Sequence, residues 1–341
     1  MVRNLASAVF VLVLGVALTV TAEAGQTLDN IKSKGVLNCG VTSDAPGFSA
    51  ADSTGKYTGL DIDVCKAMSA AIFGTPDKVK YVPLSAPQRF TALQSGEIDI
   101  LTRNTTWTLG REAQLGVLFG PTDFYDGQGF LVRKSSGLKS VKQLSGATIC
   151  VQPGTTTELN LADYFRANKL ELKTVVIENP DEVENAFFSG RCDAFTADSS
   201  TLAGTRITKA PKPDDYVILP ELISKEPLAS SVRQGDDQFF SIMRWTVFAL
   251  FQAEEKGITS KNVEDMLKSD DPDIKRFLGV TPGNGKALGL DETWAYNIIK
   301  AVGNYGEIFQ HNVGKDSPLK LERGLNDLWT TGGLLYAPPL R

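Results

Sequence analysis

Ser95-Gly96-Glu97-Ile98-Asp99-Ile100-Leu101-Thr102 and Ser189-Gly190-Arg191-Cys192-Asp193-Ala194-Phe195-Thr196 repeat one local pattern. In each, Ser-Gly ends a helix, and a short apolar run then leads to a threonine as a buried strand. Upstream of the first copy the sequence predicts a strand over 35–41, a helix from Asp61 and a strand over 79–84. That helix carries Val64, Ala67, Met68, Ala71 and Ile72 at helical spacing and stops at Gly74. Pro87 opens a short helix running to Ser95. Upstream of the second copy, strands over 147–151 and 173–177 alternate with helices over 157–168 and 181–189. Each half reads β-α-β-α-β, which predicts an α/β chain of mostly parallel sheets with helices on both faces. Ligands of such sheets sit beyond the carboxyl ends of the strands, so both copies aim the residues that follow them at a candidate site.

Two extended passages marked by glycine or proline join the halves, over 124–132 and 227–232, and a helical pattern resumes over 239–255. Two crossings between similar lobes predict a hinge. The expected organisation is a first lobe of residues 25–130 plus 229–341 and a second lobe of residues 131–228. The length of 341 residues suits two domains. Lys and Arg number 35 against 40 for Asp and Glu, a net charge of −5, so no basic excess exists to bind nucleic acid. His311 is the single histidine, which disfavours a histidine-based triad or a multi-histidine metal centre. No metal and no cofactor is expected, and an enzyme is disfavoured.

Arg3, the uncharged run over 5–20 and Ala22-Glu23-Ala24 read as a signal peptide over residues 1–24. The alternative is a membrane anchor, but a spanning helix needs about 20 apolar residues. Export to an oxidising compartment makes disulfides the favoured reading of the four cysteines. Local pairing, Cys39 with Cys65 and Cys150 with Cys192, is the simplest choice; other pairings, free thiols or a metal site remain open, although no C-x-x-C pair occurs.

After the first copy comes Arg103-Asn104-Thr105-Thr106-Trp107-Thr108-Leu109-Gly110-Arg111, and after the second Ala197-Asp198-Ser199-Ser200. Arg111 can grip a carboxylate with two parallel hydrogen bonds, and Thr106 and the backbone around Asn104 add donors. Gly154-Thr155-Thr156-Thr157 stands between a strand and a helix, where free N–H groups and the helix dipole attract a carboxylate. Asp198 can receive an ammonium group. Each also has a plain structural reading: a solvated arginine, a threonine N-cap, an aspartate N-cap. Together they fit a zwitterionic α-amino acid, whose two charges need partners once water is excluded.

At these residues the sequence resembles the periplasmic solute-binding proteins of polar amino-acid ABC transporters, most of all the general L-amino-acid-binding subgroup. The likeness spans nearly the whole chain and is carried by Phe90-Thr91-Ala92-Leu93-Gln94-Ser95-Gly96-Glu97-Ile98-Asp99, by Arg103 to Thr108, by Tyr125-Asp126-Gly127-Gln128-Gly129-Phe130 and by Gly154 to Phe165. The resemblance implies a type II periplasmic-binding fold, two βαβ lobes joined by a two-strand hinge. It implies that Arg111, with Thr106 and Thr156, holds the α-carboxylate, and that the Asn104 backbone and Asp198 take the α-ammonium. Arg89 matches a position where relatives that bind acidic amino acids place an arginine on the side-chain carboxylate. Thr42 and Ala45 stand where relatives carry a charge and a stacking tyrosine, so a broad ligand range is implied, favouring polar and acidic side chains. The implied partners are an L-amino acid and an inner-membrane ABC permease, with the binding protein a monomer. A dehydratase of the same general fold is the rival, and a receptor's sensor domain a second.

Overall fold

The computed structural model describes residues 25–340; the expected export segment lies outside the described residues. Two five-stranded mixed sheets form two lobes. In the first, Leu37–Val41 lies between parallel neighbours Val79–Pro83 and Ile100–Leu101; Ser231–Arg233 follows antiparallel, and Val117–Phe119 closes the edge. In the second, Thr148–Val151 lies between parallel Lys173–Val176 and Ala194–Asp198, with Gln128–Arg133 antiparallel beyond them and Tyr216–Ile218 at the edge. The three parallel strands of each lobe are those read from the sequence. The antiparallel fourth strand is a difference, and each comes from a chain segment that has just crossed between lobes.

The repeated motif does the same work twice. Gly96 and Gly190 take φ of 79° and 91° to end their helices, a conformation that costs a residue with a Cβ. The aspartate three residues later then fixes the register of the sheet. Asp99 Oδ2 accepts the Asn38 N–H at 2.9 Å, and Asp193 Oδ2 accepts the Thr148 N–H at 2.8 Å. The Asp99 and Asp193 N–H groups donate back to the Asn38 and Thr148 carbonyls. The helix predicted from Pro87 begins at Arg89, with Pro87 in the preceding turn.

The crossings pair as a two-stranded ribbon, Phe124–Asp126 with Glu226–Leu228, which sets Asp126 opposite Glu226. Directly after the first crossing, Gln128, Gly129 and Phe130 pair with Asp198, Ala197 and Thr196 of the second sheet. The first lobe's core joins Leu37, Ile62 and Met68 to Phe239, Met243 and Leu250 of the helix Asp237–Glu255, and to Trp294, Ile298 and Tyr305 of the late helices. The C-terminal segment is thus integral to that lobe. Among the described residues no helix is long and apolar enough to cross a membrane.

Cys39 is bonded to Cys65 and Cys150 to Cys192, the local pairing. Each ties a central strand of one sheet to a neighbouring element of the same lobe, closing segments of 26 and 42 positions. Chain entropy assigns each roughly 3–4 kcal/mol. Replacing Cys150 and Cys192 together by alanine is expected to lower unfolding free energy by about that amount in urea titrations. A variant as stable as the wild type would show that the bridge constrains nothing.

Candidate functional site

The carboxyl ends of both sheets face one cleft. Its walls are Thr42, Asp44, Ala45, Arg89, Arg103, Asn104, Thr106 and Arg111 on one side, and residues 152, 155–157, 180, 183–184, 195, 197–198 and 201 on the other. All seven residues singled out from the sequence, Arg89, Asn104, Thr106, Arg111, Thr155, Thr156 and Asp198, line it. The walls are in contact. Arg89 Nη2 donates to the Gly154 carbonyl at 3.5 Å, and the Thr106 and Thr156 hydroxyl oxygens are 3.3 Å apart. At Gly204 a Cβ would lie 3.0 Å from the Pro46 carbonyl oxygen, so the lobes meet there with no room for a side chain.

On the first wall, Thr108 caps the short helix Leu109–Gln114 and turns Arg111 back, so that its Nη1 donates to the Thr106 carbonyl at 2.7 Å. Two guanidinium groups lie over the Phe90 ring, Arg89 at 5.0 Å and Arg111 at 5.3 Å from its centroid, a cation–π contact for each. Arg89 is 3% exposed and its Nε has no partner. Burial, with Arg103 and Arg111 nearby, disfavours its charged form, and Asp198 opposes the effect. Asn104 adopts φ of 38°, and its N–H donates to buried Asp61 at 3.0 Å. Both polar atoms of the Asn104 side chain are buried without a partner.

On the second wall, Thr155 caps the helix Thr156–Ala167: its hydroxyl accepts from the Glu158 N–H at 3.1 Å and donates to the Gln152 carbonyl at 2.8 Å. Its side chain is therefore engaged within the lobe, and what the helix start offers the cleft is backbone N–H. Glu158 turns back to accept the Gly154 N–H at 3.0 Å. Asp198 stands at the N-cap position of the next helix but makes no side-chain cap, leaving its carboxyl for the cleft. Burial raises that carboxyl well above the usual range, Asp126 and Glu226 add to the rise, and Arg111 and Arg89 oppose it. An incoming ammonium group would restore its charge.

Sequence reading missed four contributors. Arg103 is buried and donates from Nε to the Leu84 carbonyl at 2.7 Å; it sat in the quoted run, with nothing to mark its direction. Asp44 and Glu184 face the cleft from opposite lobes, so no local spacing joins them. Glu226 lies beneath the cleft and accepts from the Thr106 and Thr156 hydroxyls, at 2.6 and 2.9 Å. Those two hydroxyl protons, expected on a ligand carboxylate, here go to the protein's own carboxylate. Phe48 is core against Phe124, and Trp107 stacks on Phe119.

Residues 37–309 match the family of bacterial extracellular solute-binding proteins, family 3. The chain belongs to this family. It is 56% identical over 327 residues, 95% of this chain and 96% of the relative, to the general L-amino acid-binding periplasmic protein AapJ of Rhizobium johnstonii. It is 51% identical, over 95% of this chain and 96% of the relative, to the glutamate/glutamine/aspartate/asparagine-binding protein BztA of Rhodobacter capsulatus. A solved ABC-transporter periplasmic binding protein of Brucella ovis, described with glutathione bound, is 55% identical and superposes with a TM-score of 0.90, covering 92% of this chain and 99% of that one. Among the described residues no cluster of His, Cys, Asp and Glu could hold a metal ion.

Arg111→Ala and Asp198→Ala are each expected to weaken binding of an α-amino acid about 100-fold or more by calorimetry, since each strands a buried ligand charge. Unchanged affinity in either would remove that residue from the site. Glu184 supplies a second test. Its carboxyl is pushed up to about 7 by burial, against the Thr205 hydroxyl and Lys209, with Asp44 and Asp181 adding to the rise. A raised folded pKa means that the unfolded chain holds fewer protons between about pH 4.3 and that value, so stability falls as pH rises through the window. Wild type should lose about 3 kcal/mol relative to Glu184→Gln between about pH 4 and pH 8 in denaturant titrations; a constant difference would contradict the burial argument.

Proposed function

We infer that this protein captures L-amino acids in the periplasm for an ABC transporter and is a binding protein rather than an enzyme. The reading is carried by one observation: Arg111, from one lobe, and Asp198, from the other, line the same cleft. An α-amino acid offers a carboxylate to the first and an ammonium to the second. The relatives named above are described as binding proteins, which favours capture over turnover, and Glu158 is engaged as a backbone acceptor rather than as a general acid beside the cleft.

Closure follows from the charges. A ligand that touches both walls stabilises the closed arrangement more than the open one, and only that difference moves the equilibrium. The crossing ribbon Phe124–Asp126 with Glu226–Leu228 is the connection about which the lobes turn. The closed pair of lobes then presents a surface composed of both, which a membrane permease reads as the loaded state.

Ligand range is set by the other charged groups that line the cleft. Arg89 and Arg103 favour acidic side chains, and Asp44 and Glu184 supply the opposite sign, so no one charge is required. The range is therefore broad, with acidic and amide side chains favoured by Arg89, whose Nε is unpartnered. A γ-glutamyl peptide such as glutathione, described on the Brucella relative, keeps a free α-amino and α-carboxylate group and meets the same clamp.

A thermal-shift panel of the twenty amino acids and glutathione is expected to raise the unfolding midpoint for several, glutamate and aspartate among them, because a ligand bound only to the folded state stabilises it. Arg89→Ala should then weaken glutamate and aspartate selectively. Equal loss for leucine would show that Arg89 does not read the side chain, and no shift with any compound would sink the assignment.

A further inference from the structure

Glu226 lies on the second crossing strand and is 1% exposed. Its two oxygens are shared between the lobes. Oε2 accepts from the Thr106 hydroxyl at 2.6 Å and the Thr156 hydroxyl at 2.9 Å; Oε1 accepts from the Asn160 amide at 2.8 Å and from the Ser224 hydroxyl. Thr106 follows the first sheet's strand Ile100–Leu101, whereas Thr156 and Asn160 belong to the helix Thr156–Ala167 of the second lobe. With the two threonine oxygens 3.3 Å apart, one carboxylate oxygen can reach both only while the cleft is shut.

We propose that Glu226 is a closure latch, a positioning residue that binds the two lobes to the hinge through Thr106 and Thr156 and so sets how long a captured ligand stays. The proposal rests on the ligand reading above for its second half and on geometry alone for its first. A hydroxyl has one proton, so the Thr106 and Thr156 protons are committed to Glu226 and only their lone pairs face the cleft. Opening must take at least one of these hydroxyls away and leave a buried carboxylate short of a charge-assisted partner. The latch thus stabilises the closed arrangement whether or not ligand is present, and because a bound ligand leaves only through opening, it slows release and so raises the apparent affinity. Glu226 also acts electrostatically on Arg111. That charge effect is separable from the latch, because an aspartate keeps the charge but is one methylene too short to reach both lobes.

The test uses the mature protein, small-angle X-ray scattering without ligand, and stopped-flow binding of L-glutamate. Glu226→Gln, Glu226→Asp and Asn160→Ala are each expected to enlarge the ligand-free radius of gyration and to raise the L-glutamate dissociation rate, by about tenfold for the two Glu226 variants, with little change in association rate. Asn160→Ala removes a lobe-2 donor without altering the cleft wall, and carries the test should a Glu226 variant fail to fold. Wild-type scattering and dissociation in Glu226→Asp would reduce the residue to a charge on Arg111, and wild-type behaviour in all three would overturn the latch. Absence of L-glutamate binding in the wild type would count against the ligand reading, while the scattering comparison would still decide the latch.

Discussion

A cleft that holds Arg89, Arg103 and Arg111 together with Asp198 and, just beneath, Asp126 and Glu226 is governed by the cost of keeping charge out of water. None of these groups can stay ionised alone at such burial, and each is tolerable because another of opposite sign is near. The balance is imperfect by construction. Burial disfavours the charged forms of Asp198 and Arg89, and the Arg89 Nε and the Asn104 amide lack partners. On the function proposed above, a molecule carrying both signs on one carbon offers Arg111 and Asp198 the opposite charges that burial leaves them short of, and an acidic side chain does the same for Arg89.

That arrangement exists because one piece of backbone grammar was used twice. In each lobe an aspartate after Ser-Gly-x-x anchors an interior strand, and the strand that begins just after that aspartate runs parallel beside it and delivers its trailing residues to the cleft. The duplication is structural and not chemical: the first copy is followed by Arg103, Asn104 and Thr106, the second by Asp198. Two similar scaffolds therefore present dissimilar ends, which suits a ligand whose own ends differ.

The sequence was most informative where the relevant contacts are local. The three parallel strands of each lobe, the paired cysteines and six of the seven cleft residues follow from patterns within one βαβ unit, whose geometry carries the residue after a strand to the sheet's carboxyl edge, whereas Arg89, on the helix Arg89–Ser95, was reached only through the family resemblance. It was silent where partners come from afar. The fourth strand of the first sheet, Ser231–Arg233, joins Leu101 from the far side of the second lobe, and Glu226 meets Thr106 at a separation of 120 positions. Arg103 illustrates a third limit, since its side chain turns inward only because the Leu84 carbonyl, on another loop, receives it. Thr155 shows the converse: the motif was legible, but its hydroxyl serves the helix start.

The interrupted course of the chain has a consequence for how the molecule is made. All five strands of the second sheet lie within residues 128–218, whereas the first sheet lacks its fourth strand until residues 231–233 arrive, and its core lacks Trp294 and Tyr305 until later still. A polypeptide threaded out of the cytoplasm from its amino end therefore emerges with its first-made half unable to finish. The second-made half, one uninterrupted stretch, is ready to condense before it.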